Sequence, residues 1–195
     1  MSQIGHSGEW GAEQEEQLRK AWLEEPPKLD GPVLLADYDP GWPGLYEREA
    51  ARIRSALGDR VLLLEHIGST SVPGLAAKPL IDILLVVAEP GREETYVPQL
   101  ERAGYRLVIV EPDWHEHRVL KGRDPDVNLH VHPPDSPEIE RSLRFRDHLR
   151  ADKADRELYE RTKRELAGRH WTYMQQYADA KTGVIEGILE RSPER

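Results

Sequence analysis

The stretch VLLLEHIGSTSVPGLAAKPLIDILLVV, residues 61–87, decides the fold. Its two ends, residues 61–67 and 80–87, are mostly apolar runs of strand length, which is typical of strands covered on both faces. Between them lie a glycine, three hydroxyl residues and Pro73, a pattern typical of a polar loop that starts a helix. We therefore predict that the strands containing Glu65 and Asp82 are neighbours in one sheet.

Outward from this stretch, the residue patterns predict further elements on both sides. Before it, we expect an N-terminal arm over residues 1–28 with a helix over 12–24, an extended run over 33–35, and a helix over 43–57. After it, we expect a helix over 92–102 and strands over 105–110, 114–120 and 127–132. From residue 137 the apolar positions recur at helical spacing and predict three helices, over 138–150, 155–167 and 172–189.

These elements define a fold class and domain boundaries. The strands over 114–120 and 127–132 are joined by a short turn, residues 122–125, which is too short for a parallel crossover. We therefore predict an α/β (α+β) fold in which a mixed β-sheet has flanking helices and a C-terminal helical segment. A chain of 195 residues suits one domain, over residues 29–190, with the arm docked on it.

Composition narrows the classes of function. Asp and Glu total 36 against 27 for Lys and Arg, and the resulting net charge of −9 does not favour nucleic acid as a partner. The chain has no cysteine, which excludes disulfides, a thiolate nucleophile and cysteine-bound zinc. The apolar runs are too short to span a bilayer and the N-terminus has no secretion signal, so we expect a cytoplasmic location and no membrane partner.

The polar loop is the first candidate site. A helix start offers free backbone N–H groups and a favourable dipole to an anion such as phosphate, and here it follows Gly68 and three hydroxyl residues, Ser69, Thr70 and Ser71. Lys78 adds a positive charge at the far end of the loop, and Asp82 lies where a strand would aim a carboxylate at it. The alternative is that the hydroxyl residues only cap a helix and that Lys78 is solvated.

Four segments together resemble one family: YDPGW (38–42), HIGSTSVPGLAAKP (66–79), IDI (81–83) and FRDHLR (145–150). They are similar to the GrpB family, over residues 33–189, and that family resembles the polymerase-β-like nucleotidyltransferase superfamily. The resemblance implies a nucleotidyltransferase-like fold that binds a nucleotide or another phosphorylated small molecule. It also implies that Gly68 and Ser69 bind phosphate and that Asp82 is a catalytic, metal-binding carboxylate.

One position departs from the superfamily pattern. The superfamily has a second acid two positions after the first, where this chain has Leu84. Two Mg²⁺ ions need several carboxylate oxygens, so we expect nucleotidyl transfer to be weak or absent even where binding is clear. An alternative function is a non-catalytic accessory or chaperone-like module. Similar family members are fused to dephospho-CoA kinase, which suggests a protein partner in coenzyme A metabolism.

Histidines form the second candidate site. If the hairpin pairs so that His117 faces His132, four histidines share one face of the sheet: His115, His117, His130 and His132. Imidazole ligands with the Asp82 carboxylate suit Zn²⁺, so we predict that His117, His130 and His132 turn toward Asp82 as metal ligands. The alternative is that some histidines face solvent or that a one-residue change of register separates them.

The helical tail contains two Tyr-x-x-x-Lys pairs, Tyr159 with Lys163 and Tyr177 with Lys181. Residues four apart lie on one helix face, so each pair either stacks a base and contacts phosphate or packs over the core, and core packing is the favoured interpretation. Arg146 and Arg150 form a similar stripe, which either contacts a phosphate or pairs with nearby acids.

Overall fold

Five strands form one mixed sheet in the computed structural model, which describes residues 10–193. They are β1 (Leu63–Ile67), β2 (Ile81–Val86), β3 (Tyr105–Glu111), β4 (His117–Gly122) and β5 (Val127–His132), in the spatial order β1-β2-β5-β4-β3. β2 and β5 are parallel and the other neighbouring pairs are antiparallel. The predicted mixed sheet is confirmed, and the strands containing Glu65 and Asp82 are neighbours as predicted.

Within residues 10–193, seven α-helices flank the sheet: α1 (Ala12–Ala21), α2 (Trp42–Leu57), α3 (Val97–Arg102), α4 (Pro137–Ala151), α5 (Lys153–Ala167), α6 (Met174–Asp179) and α7 (Thr182–Arg191). α4 begins after Ser136, whose hydroxyl accepts the Glu138 N–H, and α5 begins after Asp152, whose carboxylate accepts the Asp155 N–H. No helix in this part of the chain combines the length and apolar composition needed to cross a membrane.

The two faces of the sheet have different partners because side chains alternate along a strand. In β2, Ile83 and Leu85 point to the face that packs on α2 and α3, where they form the main core with residues such as Ile53. Asp82 and Leu84 point to the opposite face, which the helices after residue 137 cover as predicted. The candidate residues of β2, β4 and β5 therefore lie between the sheet and the C-terminal helices.

The N-terminal arm docks on the domain, as expected. Leu18 of α1 is buried, and Trp22 forms an antiparallel bridge with Ile109 of β3. The Leu23 N–H donates to the carbonyl of Val108 at 3.0 Å, so the arm lies along the outer edge of β3. The boundary at residue 28 stays a prediction, and residues 1–9 of the arm lie outside the described residues.

The run expected to be extended over 33–35 contains no helix and leads into one bridge between Ala36 and Ala77 of the loop. Two other local predictions are wrong. No α-helix follows Pro73: a 3-10 turn, Ser69–Ser71, takes its place because hydroxyl groups of the loop bond locally to backbone carbonyls. The helix expected over 172–189 is divided into α6 and α7, and the break places Lys181 in a buried position.

Candidate functional site

A cavity of about 260 Å³ lies between the sheet and the C-terminal helices, and α1 with the residues after it forms one of its walls. The lining includes eight of the nine predicted site residues: Gly68, Ser69, Thr70, Lys78, Asp82, His117, His130 and His132. Ser71 is not among the lining residues. The fold therefore gathers the loop candidates and the hairpin candidates around one cavity.

The loop after β1 presents one hydroxyl group to the cavity. Gly68 has φ of 68° and ψ of −174°, a conformation that favours glycine. The Thr70 hydroxyl donates to the Leu80 carbonyl at 3.1 Å and the Ser71 hydroxyl donates to the Gly68 carbonyl at 2.6 Å, so both are engaged within the loop. Since no α-helix starts here, the expected contribution of a helix dipole is absent, and Ser69 is left as the hydroxyl nearest a ligand.

Asp82 lies on the floor of the cavity, opposite Asn128 in the parallel pair of β2 and β5. Asn128 Nδ2 donates to Asp82 Oδ1 at 3.1 Å, and His130 Nε2 lies 3.6 Å from the same oxygen. Burial raises the pKa of Asp82, but the contacts with His130 and Asn128 and the charge of Lys78 outweigh it, so the pKa lies below its ordinary value. Asp82 is therefore an ionised carboxylate at neutral pH.

Lys163 of α5 joins the loop to the helical segment. Its ammonium group donates to Ser69 Oγ at 3.1 Å and to the Ala76 carbonyl, and it lies 4.9 Å from the centre of the Tyr159 ring. Burial, with the nearby charge of Lys181, lowers the pKa of Lys163 to about 7. The Lys163 side chain is thus fixed beside the one available hydroxyl of the loop.

Lys181, between α6 and α7, is a buried cation in the cavity lining. It is 6% exposed, and its Nζ lies 4.7 Å from the centre of the Tyr177 ring. Within residues 10–193 its ammonium group makes no hydrogen bond and no salt bridge, apart from this ring contact. Burial, with the charge of Lys78, lowers the pKa of Lys181 to about 8.

The cavity is cationic although the chain is acidic. Its lining has two acidic side chains, Asp82 and Glu111, and six basic ones: Lys78, Lys121, Arg141, Arg146, Lys163 and Lys181. The formal charge of the lining is therefore +4, against −9 for the whole chain. Both arginines are paired with acids, Arg141 with Glu186 and Arg146 with Glu65, so the lysines are the groups that remain for an anionic ligand.

Three histidine rings are stacked on the same face, and His117 faces His132 as predicted. The ring centres of His117 and His132 are 4.6 Å apart, and those of His117 and His130 are 5.4 Å apart. The Nδ1 atom of His117 lies 2.7 Å from Glu111 Oε2, and its Nε2 lies 3.1 Å from His130 Nδ1. Burial lowers the pKa of His117 well below its ordinary value and that of His132 to about 2, so both rings are neutral.

His115 does not join this cluster. It precedes β4 in a turn where its φ is 52°, and its side chain is exposed. The prediction that all four histidines share one face is therefore wrong at His115, because β4 begins three residues later than the sequence pattern indicates. A strand periodicity applies only within the strand itself.

The predicted four-residue metal site is not preassembled. Within residues 10–193, one group of three histidine or acidic side chains has ligand atoms within 4.8 Å of one another. It consists of His148 of α4, Asp152 between α4 and α5, and Asp155 of α5. In that group Asp155 is already paired with Arg191. The ligand atoms of Asp82 and the three stacked histidines are farther apart, and their role in binding metal stays a prediction.

A pair of Mg²⁺ ions does not fit the residues present. Leu84, at the position of the second acid, is 1% exposed and packs with Ile67 of β1 and Leu143 of α4. An apolar side chain offers no oxygen to a metal, and α4 covers the place where a second ion would need one. The sequence has Leu84 where the superfamily has its second acid, and the structure surrounds this position with apolar side chains.

Arg146 and Arg150 were predicted either to contact a phosphate or to pair with nearby acids, and the structure shows the second arrangement. Arg146 donates to Glu65 Oε2 at 2.7 Å, to the His66 carbonyl at 3.0 Å and to Asp147 Oδ1 at 2.8 Å. Arg150 lies 3.7 Å from Asp147 Oδ1, and it also donates to the Ser71 carbonyl at 2.8 and 3.0 Å. Both arginines therefore fasten α4 to β1 and the loop.

The sequence interpretation found part of the site. Core packing is confirmed for Tyr159 and Tyr177, which are buried in core clusters with their lysines over the rings, but the position of Lys163 and Lys181 in the cavity lining was missed. The repeated Tyr-x-x-x-Lys spacing was the available signal, since two matching pairs on separate helices can face one space. Asn128 and Glu111 gave no signal of their own, because their roles depend on the register of β2 with β5 and of β3 with β4.

Comparisons with known proteins place the chain among its relatives. A family model described as "GrpB protein" matches residues 32–191. A UPF0157 protein from Halalkalibacterium halodurans is 53% identical over 178 residues, which are 91% of this chain and 91% of that protein. The crystal structure of the conserved protein GrpB from Enterococcus faecalis matches with a TM-score of 0.71 and 34% identity, and covers 80% of this chain and 95% of that one.

A third relative has a name that states an activity. A dephospho-CoA kinase from Mycolicibacterium paratuberculosis is 32% identical over 165 residues, which are 71% of this chain and 40% of that protein. The chain is thus similar to less than half of the kinase.

Proposed function

Since the chain belongs to the GrpB family, we propose that it binds a nucleotide or another phosphorylated small molecule in the cavity, with weak or no nucleotidyl transfer. The observation that carries the proposal is the buried ammonium group of Lys181. Among residues 10–193 this group makes no salt bridge, although Asp82 and Asp179 act on it at longer range. A buried ammonium group without a direct acidic partner is costly, and an anionic ligand lowers that cost. The hydroxyl and ammonium groups around Lys181 are suited to a phosphate anion.

The donors around Lys181 are suited to a phosphate group. Ser69 supplies a hydroxyl, Lys78 and Lys163 supply further ammonium groups, and the three lysines influence one another electrostatically. Charge-assisted hydrogen bonds of this kind are about twice as strong as neutral ones. The tyrosines under Lys163 and Lys181 give the same region an apolar surface, which suits the rest of a nucleotide or a similar organic ligand.

Weak or absent transfer follows from the missing second acid. Asp82 is the one acid of β2, and Leu84 is buried under α4. Without a pair of hard cations the developing charge on a transferred nucleotidyl group lacks its usual stabilisation. We therefore propose that Asp82 serves ligand or cation binding rather than efficient catalysis.

An accessory module in coenzyme A metabolism is the second candidate. The relatives named dephospho-CoA kinase favour it, because the similarity covers only 40% of one such protein. On this proposal the chain binds dephospho-CoA or a related phosphorylated precursor and has no kinase activity of its own. The partner would be a dephospho-CoA kinase supplied by a separate chain.

The test is a binding screen of the purified full chain. Nucleoside triphosphates, dephospho-CoA, phosphopantetheine and inorganic triphosphate are added with and without Mg²⁺ while thermal unfolding is followed. A ligand at 100 times its Kd stabilises the fold by about 2.7 kcal/mol, which a thermal shift detects. Calorimetry then gives the affinity of each ligand that shifts the transition.

Lys181→Met and Lys20→Met form a matched pair for this test. Both remove one positive charge, but Lys20 is 72% exposed and pairs with Glu16 on α1. We expect Lys181→Met to lower ligand affinity by about tenfold or more and to leave the empty protein at least as stable. Lys20→Met should bind as the wild type does. Equal affinities in the two variants, or no ligand that binds the wild type, would overturn the proposal.

A further inference from the structure

The cavity has an apolar wall that differs in chemistry from its lysines. Five residues of the N-terminal arm form this wall: Leu18, Ala21, Trp22, Pro26 and Pro27. The arm is rich in charged residues, yet within residues 10–28 none of them lines the cavity. Ala21 and Trp22 lie three and four positions after Leu18, so the three side chains share one face at the end of α1. The arm therefore adds an apolar and aromatic surface to a cationic site.

The wall is fixed to the domain through its backbone. Trp22 forms a bridge with Ile109 of β3, and the Leu29 N–H donates to the Thr172 carbonyl at 2.9 Å. The Trp22 side chain is half-buried and belongs to the cavity lining. An aromatic side chain is thus held at the cavity by contacts that do not depend on its own ring.

Trp22 lies across the sheet from Asp82. Asp82 of β2 is opposite Asn128 of β5, Asn128 is opposite Lys121 of β4, and all three line the cavity. Lys121 Nζ lies 5.3 Å from the centre of the Trp22 ring. Neighbouring strands are about 4.8 Å apart, so the position of Lys121 is about 10 Å from that of Asp82. Two of the lysines proposed to bind phosphate interact electrostatically with Asp82, so a ligand that contacts them and Trp22 must be extended.

We propose that the arm, through Trp22, binds the base of a nucleoside phosphate whose phosphate groups are bound by the three lysines named above. The inference rests on the proposed function and names the substrate class of the same site, an aromatic base joined to phosphate. Nucleoside triphosphates and dephospho-CoA share this chemistry. Flat bases bind to aromatic side chains and to neighbouring cations, and Trp22 with Lys121 offers both.

The tyrosines of the cavity are less suited to a base. Tyr159 and Tyr177 are 2% and 1% exposed, so their rings support the lysines but offer no open face to a second group. Trp22 is half-buried instead. The arm also precedes residue 32, where the family match begins, so this part of the site lies outside the matched domain.

Calorimetry with four probes and the purified full chain tests the proposal. ATP and dephospho-CoA contain a base, whereas inorganic triphosphate and phosphopantetheine do not. We expect the wild type to bind ATP about fivefold or more tightly than inorganic triphosphate. Trp22→Leu should remove that advantage and leave the affinity for inorganic triphosphate unchanged. Trp22→Phe should keep most of the advantage, because an aromatic ring remains.

Leu23→Ala is the matched control, since Leu23 is the next residue of the arm and its side chain is 57% exposed. It should bind all four probes as the wild type does. NMR of the wild type adds a measurement that depends on no variant. The indole signal of Trp22 should shift when ATP or dephospho-CoA is added and should not shift with inorganic triphosphate.

The outcomes separate this inference from the proposed function. If ATP and inorganic triphosphate bind the wild type equally, or if Trp22→Leu binds ATP normally, the phosphate site stands and the base site is overturned. The base site is also overturned if Trp22→Leu weakens both ligands equally, because Trp22 then only holds the arm in place. Loss of phosphopantetheine affinity in Trp22→Leu would assign the wall to an alkyl chain instead. Binding of none of the probes would overturn both proposals.

Discussion

Gly68 and Asp82 are packed so closely that a methyl group on Gly68 would lie 2.9 Å from Cβ and 3.0 Å from Cγ of Asp82. The contact crosses the pair of β1 and β2, where Asp82 lies opposite Ile67. The backbone of Gly68 therefore packs directly against the Asp82 side chain, with no side chain between them. This contact explains why a glycine is needed at the start of the loop as well as an acid on β2.

Gly68→Ala should lower the free energy of unfolding by about 2–5 kcal/mol, since it combines an unfavourable positive φ with overpacking against Asp82. Gly74→Ala is the matched control, because Gly74 has φ of 78° but no atom within 4 Å of the added methyl. It should cost only about 1–2 kcal/mol. Urea unfolding of both variants measures the difference, and equal losses would mean that the contact with Asp82 is easily relieved.

Leu84→Asp should destabilise the protein by more than about 3 kcal/mol without creating nucleotidyl transfer. The new carboxylate would be buried against Ile67 and Leu143 with no water and no partner. Leu84→Met keeps the volume and should cost less than about 1.5 kcal/mol. Unfolding curves and pyrophosphate release from nucleoside triphosphates check both statements. A stable Leu84→Asp protein that releases pyrophosphate would show that the position can hold a metal.

Stability of the ligand-free protein should rise between pH 7 and pH 9. Burial lowers the pKa of Lys163 to about 7 and of Lys181 to about 8, whereas both pKa values are 10.5 in the unfolded chain. In this window the unfolded chain binds more protons, so the free energy of unfolding increases with pH. Urea unfolding at constant ionic strength measures it. Lys181→Met should show a smaller increase, and a wild-type stability that falls over this range would contradict the prediction.

Arg146→Met should lower the free energy of unfolding by about 2–4 kcal/mol. Arg146 is 7% exposed, and its loss leaves the His66 carbonyl and Glu65 without their donor at the contact of α4 with β1. Arg48→Met is the control, since Arg48 is 52% exposed and its contact with Glu49 is long, at 3.7 Å. The control should change stability by less than about 0.5 kcal/mol. Similar urea midpoints for the two variants would contradict the role of Arg146.

Much of the sheet could be predicted because its strands are apolar and short. The runs around Glu65 and Asp82 became β1 and β2, and the hairpin register placed His117 opposite His132 as the two-residue period predicts. The same period gave the wrong face for His115, because His115 and Glu116 have positive φ and form a turn before β4 begins. No periodicity in the sequence shows where a strand begins to pair.

The site was harder to predict than the sheet. The sequence showed that Tyr177 and Lys181 share a helix face, but burial beside the loop depends on how α5, α6 and α7 pack together. The break at Lys181 was not predicted either, because the helical spacing of apolar residues continues across it from α6 to α7. The contact of His117 with Glu111 likewise depends on the pairing of β4 with β3, which the sequence pattern alone does not align.

The docking of the arm on β3 also affects how the chain behaves in solution. β3 is an outer strand of the sheet, and an unpaired outer strand offers its N–H and C=O groups to any other extended chain. Trp22 and Leu23 occupy two of those positions, through the bridge to Ile109 and the hydrogen bond to Val108. The family match begins at residue 32, after the arm. We expect a fragment cut at that boundary to keep the cavity floor but to expose the edge of β3, and therefore to self-associate more readily than the full chain.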